Sequence, residues 1–299
     1  MRILQLGDTH LGFQRRTWGG PPGWSPAQDH RAAWQRALEP ALRGEVELVI
    51  HTGDLFDRSR PPPEDRRWAR QQLAALGRRC PVVVLAGNHD RRGLRVHLGE
   101  DLPGVRIVDE ATVLAHGGLR LGFVPHQRQA AAWAATAARV GREGVDLLIT
   151  HQAFDGCAVP GFRFRPGRPA ETVAAHQVPA GVRWVLSGHL HPHQSLRCGA
   201  ATVVYAGSTV RTSAGEGPGP KGTVIWELGA EVSWRFRPHP SRPWLSVREE
   251  ADLDGVPEAA LVSLAPERIR SWGAQVRARG GRVVLPSQRR APRAQLRLF

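Results

Sequence analysis

The chain has 299 residues, 41% hydrophobic and 23% charged, which excludes a disordered protein and suits one main domain with a small appendage. No apolar run reaches the roughly 18 residues that span a bilayer, and the apolar start is too short for a secretory signal core, so a cytoplasmic protein without membrane attachment is expected. A formal charge of +14 points to polyanionic partners, although an arginine-rich chain with Lys221 as its only lysine can also reflect a GC-rich genome.

In chain order, Ile3–Leu6, Leu48–Ile50, Val82–Leu85, Leu119–Val124, Leu147–Ile149 and Trp184–Leu186 are short apolar runs that predict buried strands. Ala27–Leu42, Glu64–Leu76 and the alanine-rich Ala130–Val140 lie between them and predict helices. Strands alternating with helices define an α/β domain. Beyond residue 200, Thr202–Tyr205, Thr223–Leu228 and Glu231–Phe236 predict strands without intervening helices, hence an antiparallel meander. Trp244–Val247 and Arg282–Leu285 predict strands around a helix over Pro257–Arg279, and the arginine-rich end Gln288–Phe299 is expected to be disordered or partner-bound. Cys80, Cys157 and Cys198 form no CxxC pair and are expected to be reduced, buried thiols.

Five segments deliver metal-competent side chains directly after a predicted strand: Gly7-Asp8-Thr9-His10, Gly53-Asp54, Gly87-Asn88-His89-Asp90, Thr150-His151 and Gly188-His189-Leu190-His191. Each alone is ordinary, since Asp-x-His and Gly-Asp occur in many turns. Their repetition at successive strand ends is not ordinary, because a sheet fixes the backbone while the loop frees each side chain to converge. Mixed imidazole, carboxylate and amide-oxygen donors suit manganese, iron or zinc better than calcium. A pair of such cations can activate water and hold phosphoryl oxygens, the requirement of phosphate ester cleavage.

The order D-x-H, GD, GNHD, H and GHxH resembles the calcineurin-like metallophosphoesterase superfamily over residues 8 to 191. The resemblance implies a two-sheet sandwich flanked by helices, with Asp8, His10 and His191 on one metal and Asn88, His151 and His189 on the other. Asp54 would bridge them. It further implies that His89 donates a proton or hydrogen bond to the substrate, oriented by Asp90. The flanks Asp8-Thr9-His10-Leu11-Gly12, Gly53-Asp54-Leu55-Phe56-Asp57 and Leu85-Ala86-Gly87-Asn88-His89-Asp90 are similar to the SbcD branch, as are Tyr205-Ala206-Gly207-Ser208, Arg211-Thr212-Ser213 and Lys221-Gly222. Asp57 is a candidate for a supporting position. The branch implies a manganese-dependent DNA exo- or endonuclease with DNA and an SbcC-like ATPase as partners.

Together these readings predict an α/β metallophosphoesterase domain over 1–240, with a reduced cap and basic tail over 241–299. Arg15, Arg16, Arg91 and Arg92 follow metal loops and are candidates for nucleic-acid contact. The segment Trp18–Trp34 reads either as a DNA-facing loop or as aromatics packing a helix. His30, His51, His97, His116, His126, His176, His193 and His239 are expected to be packed or solvent-facing. A small-nucleotide phosphodiesterase or phosphatase, and a non-catalytic DNA-end-binding subunit, stand as alternatives, and the oligomeric state is open, a dimer included.

Overall fold

The computed structural model describes residues 1–90, 93–158, 170 and 172–285. Arg91, Arg92 and the tail from 286 lie outside the described residues.

Two six-stranded sheets form the main body. The first runs Val232–His239, Lys221–Leu228, Arg2–Leu6, Leu48–His51, Val82–Leu85, Val105–Val108. Its last four strands are parallel, and the first two add an antiparallel hairpin against Arg2–Leu6. The second runs Gln194–Cys198, Ala201–Tyr205, Trp184–Gly188, Leu147–His151, Leu119–Val124, Thr112–His116. It has a parallel centre and antiparallel edges.

Alternation along each strand explains the layering, because successive side chains point to opposite faces. On Arg2–Leu6, Ile3 packs between the sheets while Leu4 and Leu6 pack under helices Pro26–Leu42 and Pro63–Gly77. On Val82–Leu85, Val83 and Leu85 point inward and Val82 and Val84 outward. Helix Ala130–Gly141 covers the far face of the second sheet through Trp133, Ala137 and Val140. Gln5 sits among these apolar inner positions with every polar atom engaged. Its amide donates to the Ser187 and Val204 carbonyls at 3.2 and 3.0 Å, and its oxygen accepts the Trp226 indole N–H at 2.8 Å. That residue fixes the register between the sheets.

A smaller four-stranded sheet, Trp244–Ser246, Leu261–Ser263, Arg282–Val284 and Thr17–Trp18, packs on helix Ile269–Ala278. Its fourth strand comes from the other end of the chain: Trp18 pairs with Val283 and Thr17 with Val284. The Trp24 ring lies between two guanidinium groups, Arg242 at 4.8 Å and Arg282 at 4.1 Å. Arg242 also grips Asp29 with a 2.9 Å bond. In the 18–34 segment, Trp18 and Trp24 thus join the small sheet to the main body, and Trp34 is buried in the core beneath the first sheet.

Two expectations are corrected, and three strands had not been predicted. The helix expected over Pro257–Arg279 begins only at Ile269, because Leu261–Ser263 is an inner strand of the small sheet, paired on both sides. Thr202–Tyr205 joins no meander with the later strands; it lies in the second sheet beside Trp184–Gly188. Strands Val105–Val108, Thr112–His116 and Gln194–Cys198 were not expected; all three lie at sheet edges with half-exposed, mixed sequences that blur the period. Among the described residues no helix is long and apolar enough to cross a membrane.

Candidate metal centre

Parallel strands place their carboxyl ends on one side of a sheet, and loops leaving those ends are the usual site of ligand binding in open α/β sheets. Here Asp8, Asp54 and Asn88 follow successive parallel strands of the first sheet, and His151 and His189 end adjacent parallel strands of the second. Stacking the sheets brings the two sets face to face. The approach is so close that a Cβ on Gly53 would lie 2.3 Å from His151 Nδ1, and one on Gly188 2.4 Å from the Thr52 carbonyl oxygen. Larger residues would hold the halves of the centre apart.

The loops are strained into shape. Asp8, His10, Asp54 and His189 all have left-handed backbone, with φ of 50°, 49°, 54° and 88°, a conformation that costs a non-glycine residue on the order of 1–3 kcal/mol. The surroundings hold it. Buried His30 donates Nδ1–H to the Thr9 carbonyl at 2.8 Å, and buried His51 meets the Thr9 hydroxyl at 2.8 Å. Both therefore support the Asp8–His10 loop from behind, as packed imidazoles.

At the centre, Asp54 Oδ2 lies 3.4 Å from His151 Nε2, 3.9 Å from His89 Nε2 and 4.0 Å from His10 Nε2. The other Asp54 oxygen accepts the His89 backbone N–H at 2.8 Å. Asn88 Oδ1 lies 2.9 Å from His151 Nε2 and 3.0 Å from His189 Nδ1. His10 Nε2 and His191 Nε2 face each other at 3.1 Å. Three overlapping groups have ligand atoms mutually within 4.8 Å: Asp8 with His10 and His191, His10 with Asp54 and His89, and Asp8 with Asp54 and His151. All seven expected ligands thus converge.

The electrostatics fit cations. Burial pushes Asp54 up, but the His151 charge and hydrogen bond, with His10 and His89 nearby, outweigh it and hold the carboxyl well below its usual range. Burial alone would lower His151, yet Asp54 and then Asp8 push it up to about 9. Burial, reinforced by the His151 charge, lowers His189 to about 3, and burial with the His191 charge depresses His10. The anionic Asp54 carboxylate with His10 and His189 held neutral is a donor set suited to positive charge, and a proton on His151 is what a cation would displace. His10 Nε2 faces the other donors, and its buried Nδ1, without a hydrogen-bond partner among the described residues, lies 3.7 Å from Asp57 Oδ1. The residues present fit divalent metal.

His89 sits beside the bridge, its ring edge-on to His10 at 4.9 Å. Its orientation differs from expectation. The Asp57 carbonyl accepts its Nδ1–H, whereas the Asp90 carboxylate turns away and accepts the backbone N–H groups of Leu55, Phe56 and Gly87 at 3.1, 2.9 and 3.1 Å. Through these three bonds Asp90 clamps the Asp54 and Asn88 loops together. Burial and then the Asp54 charge raise Asp90 to about 6.

Two clefts open on the centre. A cleft of about 380 Å³ is bordered by His10, Phe13, Arg15, Asp57, His89 and His191. A wider one of about 1050 Å³ reaches from Asn88 and His189 to Arg128 and Arg139. Arg15 is thus at the site, its guanidinium over the Phe13 ring at 5.0 Å. Arg16 is exposed and does not border either cleft; its carbonyl accepts the Leu285 N–H from the small sheet at 2.9 Å. His193 packs flat on Phe236 at 4.0 Å and donates to the Tyr205 carbonyl at 2.8 Å, away from the centre. Sequence reasoning missed Glu216, whose carboxylate lies 3.0 Å from His191 Nδ1. It is embedded in a glycine- and proline-rich stretch that reads as a plain connection, and its pairing with Lys221 appears only in three dimensions.

Residues 1–193 match the calcineurin-like phosphoesterase family, and the chain belongs to that family of metallophosphoesterases. Within it the chain falls in the branch of the SbcD and Mre11 proteins. It is 30% identical to the SbcD component of the SbcCD nuclease of Rhodobacter capsulatus, over 91% of this chain and 78% of that protein. It is 28% identical to the DNA double-strand break repair protein Mre11 of Thermoplasma acidophilum, over 83% of this chain and 68% of that one. For Mre11 of Haloferax volcanii the identity is 30%, over 85% of this chain but only 55% of the relative, and the chain spans 43% of Mre11 from Methanosarcina mazei.

Proposed function

We propose that this metallophosphoesterase is a two-metal, manganese-dependent DNA nuclease of strand-break repair, working in the cytoplasm with an SbcC-like ATPase. The observation that carries the reading is the convergence of Asp8, His10, Asp54, Asn88, His151, His189 and His191 around the Asp54 carboxylate, with His89 alongside. A subunit that only bound DNA ends would have no use for His89. When bound, a pair of divalent cations supplies charge to the phosphoryl oxygens and makes water a competent nucleophile near neutral pH. Asp54 holds the two halves of the site in register. His89, fixed through Nδ1 by the Asp57 carbonyl, presents Nε2 to the cleft and delivers a proton or hydrogen bond where negative charge grows. Arg15, at the rim of the smaller cleft, draws a backbone phosphate toward the centre. The names and matched length of the SbcD and Mre11 relatives support DNA as substrate and the ATPase as partner.

The test is a parallel assay with manganese on linear duplex, single-stranded circular DNA and a small aryl phosphodiester. DNA cleavage should weaken steeply with salt, since each neutralised duplex phosphate contributes about −0.9 to the log–log slope, while small-substrate hydrolysis stays nearly flat. Arg15→Ala should lower DNA cleavage and flatten that slope by about one contact. Brisk small-substrate turnover without DNA cleavage would replace the proposal with a small-nucleotide phosphodiesterase.

A further inference from the structure

One cluster beside the centre is not explained by the ligand set. Glu216 and Lys221 form a buried ion pair, with side chains 8% and 2% exposed. Burying two charges costs more than their attraction returns unless every remaining hydrogen-bonding position is filled, and here they are filled. Glu216 Oε1 lies 3.0 Å from His191 Nδ1 and accepts the Thr212 N–H at 2.7 Å, the Thr212 hydroxyl at 2.6 Å and the Ser213 N–H at 3.2 Å. Oε2 receives the Lys221 ammonium and the Ser208 hydroxyl. The remaining Lys221 protons go to the Ser208 hydroxyl at 2.8 Å and the His191 carbonyl at 3.0 Å. The ammonium therefore holds both the carboxylate and the backbone of the histidine that the carboxylate orients.

We infer that Glu216, anchored by Lys221, is a positioning residue for His191, fixing its proton on Nδ1 so that Nε2 turns its lone pair toward Asp8 and His10. A carboxylate behind a metal-binding imidazole both sets the tautomer and raises ligand basicity. The two proposed sites are supported unequally. His151, on the other side of Asp54, donates Nδ1–H to the neutral Thr52 carbonyl at 2.8 Å, so among the described residues the charged support behind a ligand imidazole is on the His191 side. Losing Glu216 should therefore weaken the Asp8, His10 and His191 site and spare the Asn88, His151 and His189 site.

This inference rests on the two-metal reading, and the experiment separates the two. Manganese is titrated into the full chain by calorimetry and followed by electron paramagnetic resonance, where a coupled pair and a single ion give different spectra. The wild type should show the coupled pair; if it binds no pair, the two-metal reading fails and the inference with it. Glu216→Gln combined with Lys221→Met removes both members of the ion pair and should keep the fold, checked by the thermal midpoint of the metal-free protein. In that variant one manganese should bind about 10- to 100-fold more weakly, the second within about threefold of wild type, and the spectrum should change from coupled to single. Glu216→Asp with Lys221 retained should recover part of the coupled signal. A folded double variant with an unchanged coupled spectrum would overturn the inference, and so would equal weakening of both ions.

Discussion

Replacing His89 by Asn isolates chemistry from metal binding. The substitution removes an imidazole whose Nε2 lies 3.9 Å from the Asp54 carboxylate and whose ring is held by the Asp57 carbonyl, but it takes nothing from the seven proposed ligands. The Asp54 contact to the backbone N–H of residue 89 survives, since it does not involve the ring. Loss of one preorganised donor to a developing oxyanion commonly costs about 10²- to 10³-fold in turnover. The His89 side chain is 39% exposed, so water can partly replace it and the lower end applies: about 10²-fold, or about 2.7 kcal/mol at 1.36 kcal/mol per decade. The assay is single-turnover cleavage with saturating manganese, on DNA and on bis-p-nitrophenyl phosphate. If Nε2 protonates the leaving oxygen, the loss should be large on DNA, whose sugar alkoxide needs the proton, and much smaller on nitrophenolate, which leaves without it. Equal losses would assign His89 to the non-bridging oxygens. Turnover within threefold of wild type on DNA, with both metals retained, would refute the role.

Asp54→Asn keeps shape but removes the central charge, so manganese should be lost from both sites together; a full pair of ions by elemental analysis would remove Asp54 from the bridging position. The same variant in chelator should lower the His151 pKa from its raised value, because burial then acts without the opposing carboxylate, and the imidazole proton resonances against pH report the direction. Asp90→Ala strands the amides of Leu55, Phe56 and Gly87 and should cost at least about 2 kcal/mol in urea unfolding of the metal-free protein, whereas a change under about 0.5 kcal/mol would show that the clamp is not needed. Gln5→Leu leaves the Trp226 indole N–H without its acceptor between the sheets and should destabilise by about 1–3 kcal/mol without altering the metals; unchanged stability would mean the sheets hold register without it.

The sequence made the core of the site legible because its donors sit at strand ends, where local residue order and spatial position coincide. Asp8 needs only Leu6 and Gly7 before it to be placed, and the same holds for His189 after Ser187 and Gly188. Roles that depend on a partner far along the chain were misread or missed. Asp90 adjoins His89 in sequence yet spends its oxygens on amides up to 35 positions away, and Glu216 gains its meaning from His191, 25 residues earlier. Continuous apolar runs identified the inner strands of both sheets, whose faces are buried on both sides. That signal failed for Leu261–Ser263, where three residues are too few to separate strand from helix periodicity.

The pairing of Arg2–Leu6 with Lys221–Leu228 has a consequence for how the protein is made. Arg2, Ile3, Leu4 and Gln5 lie opposite Glu227, Trp226, Ile225 and Val224, so this strand keeps one edge open until a segment far later in the chain has left the ribosome. Thr17 and Trp18 wait longer still, for Val284 and Val283. Contacts this distant are slow to form because the loop between them must close first. Glu216 and Lys221 also arrive in that late segment, so the support proposed for His191 is completed only then. A fragment ending at residue 193, where the family match stops, would carry all seven proposed ligands yet expose the backbone of Arg2–Leu6 as an unpaired edge, and aggregation by strand addition is its expected fate.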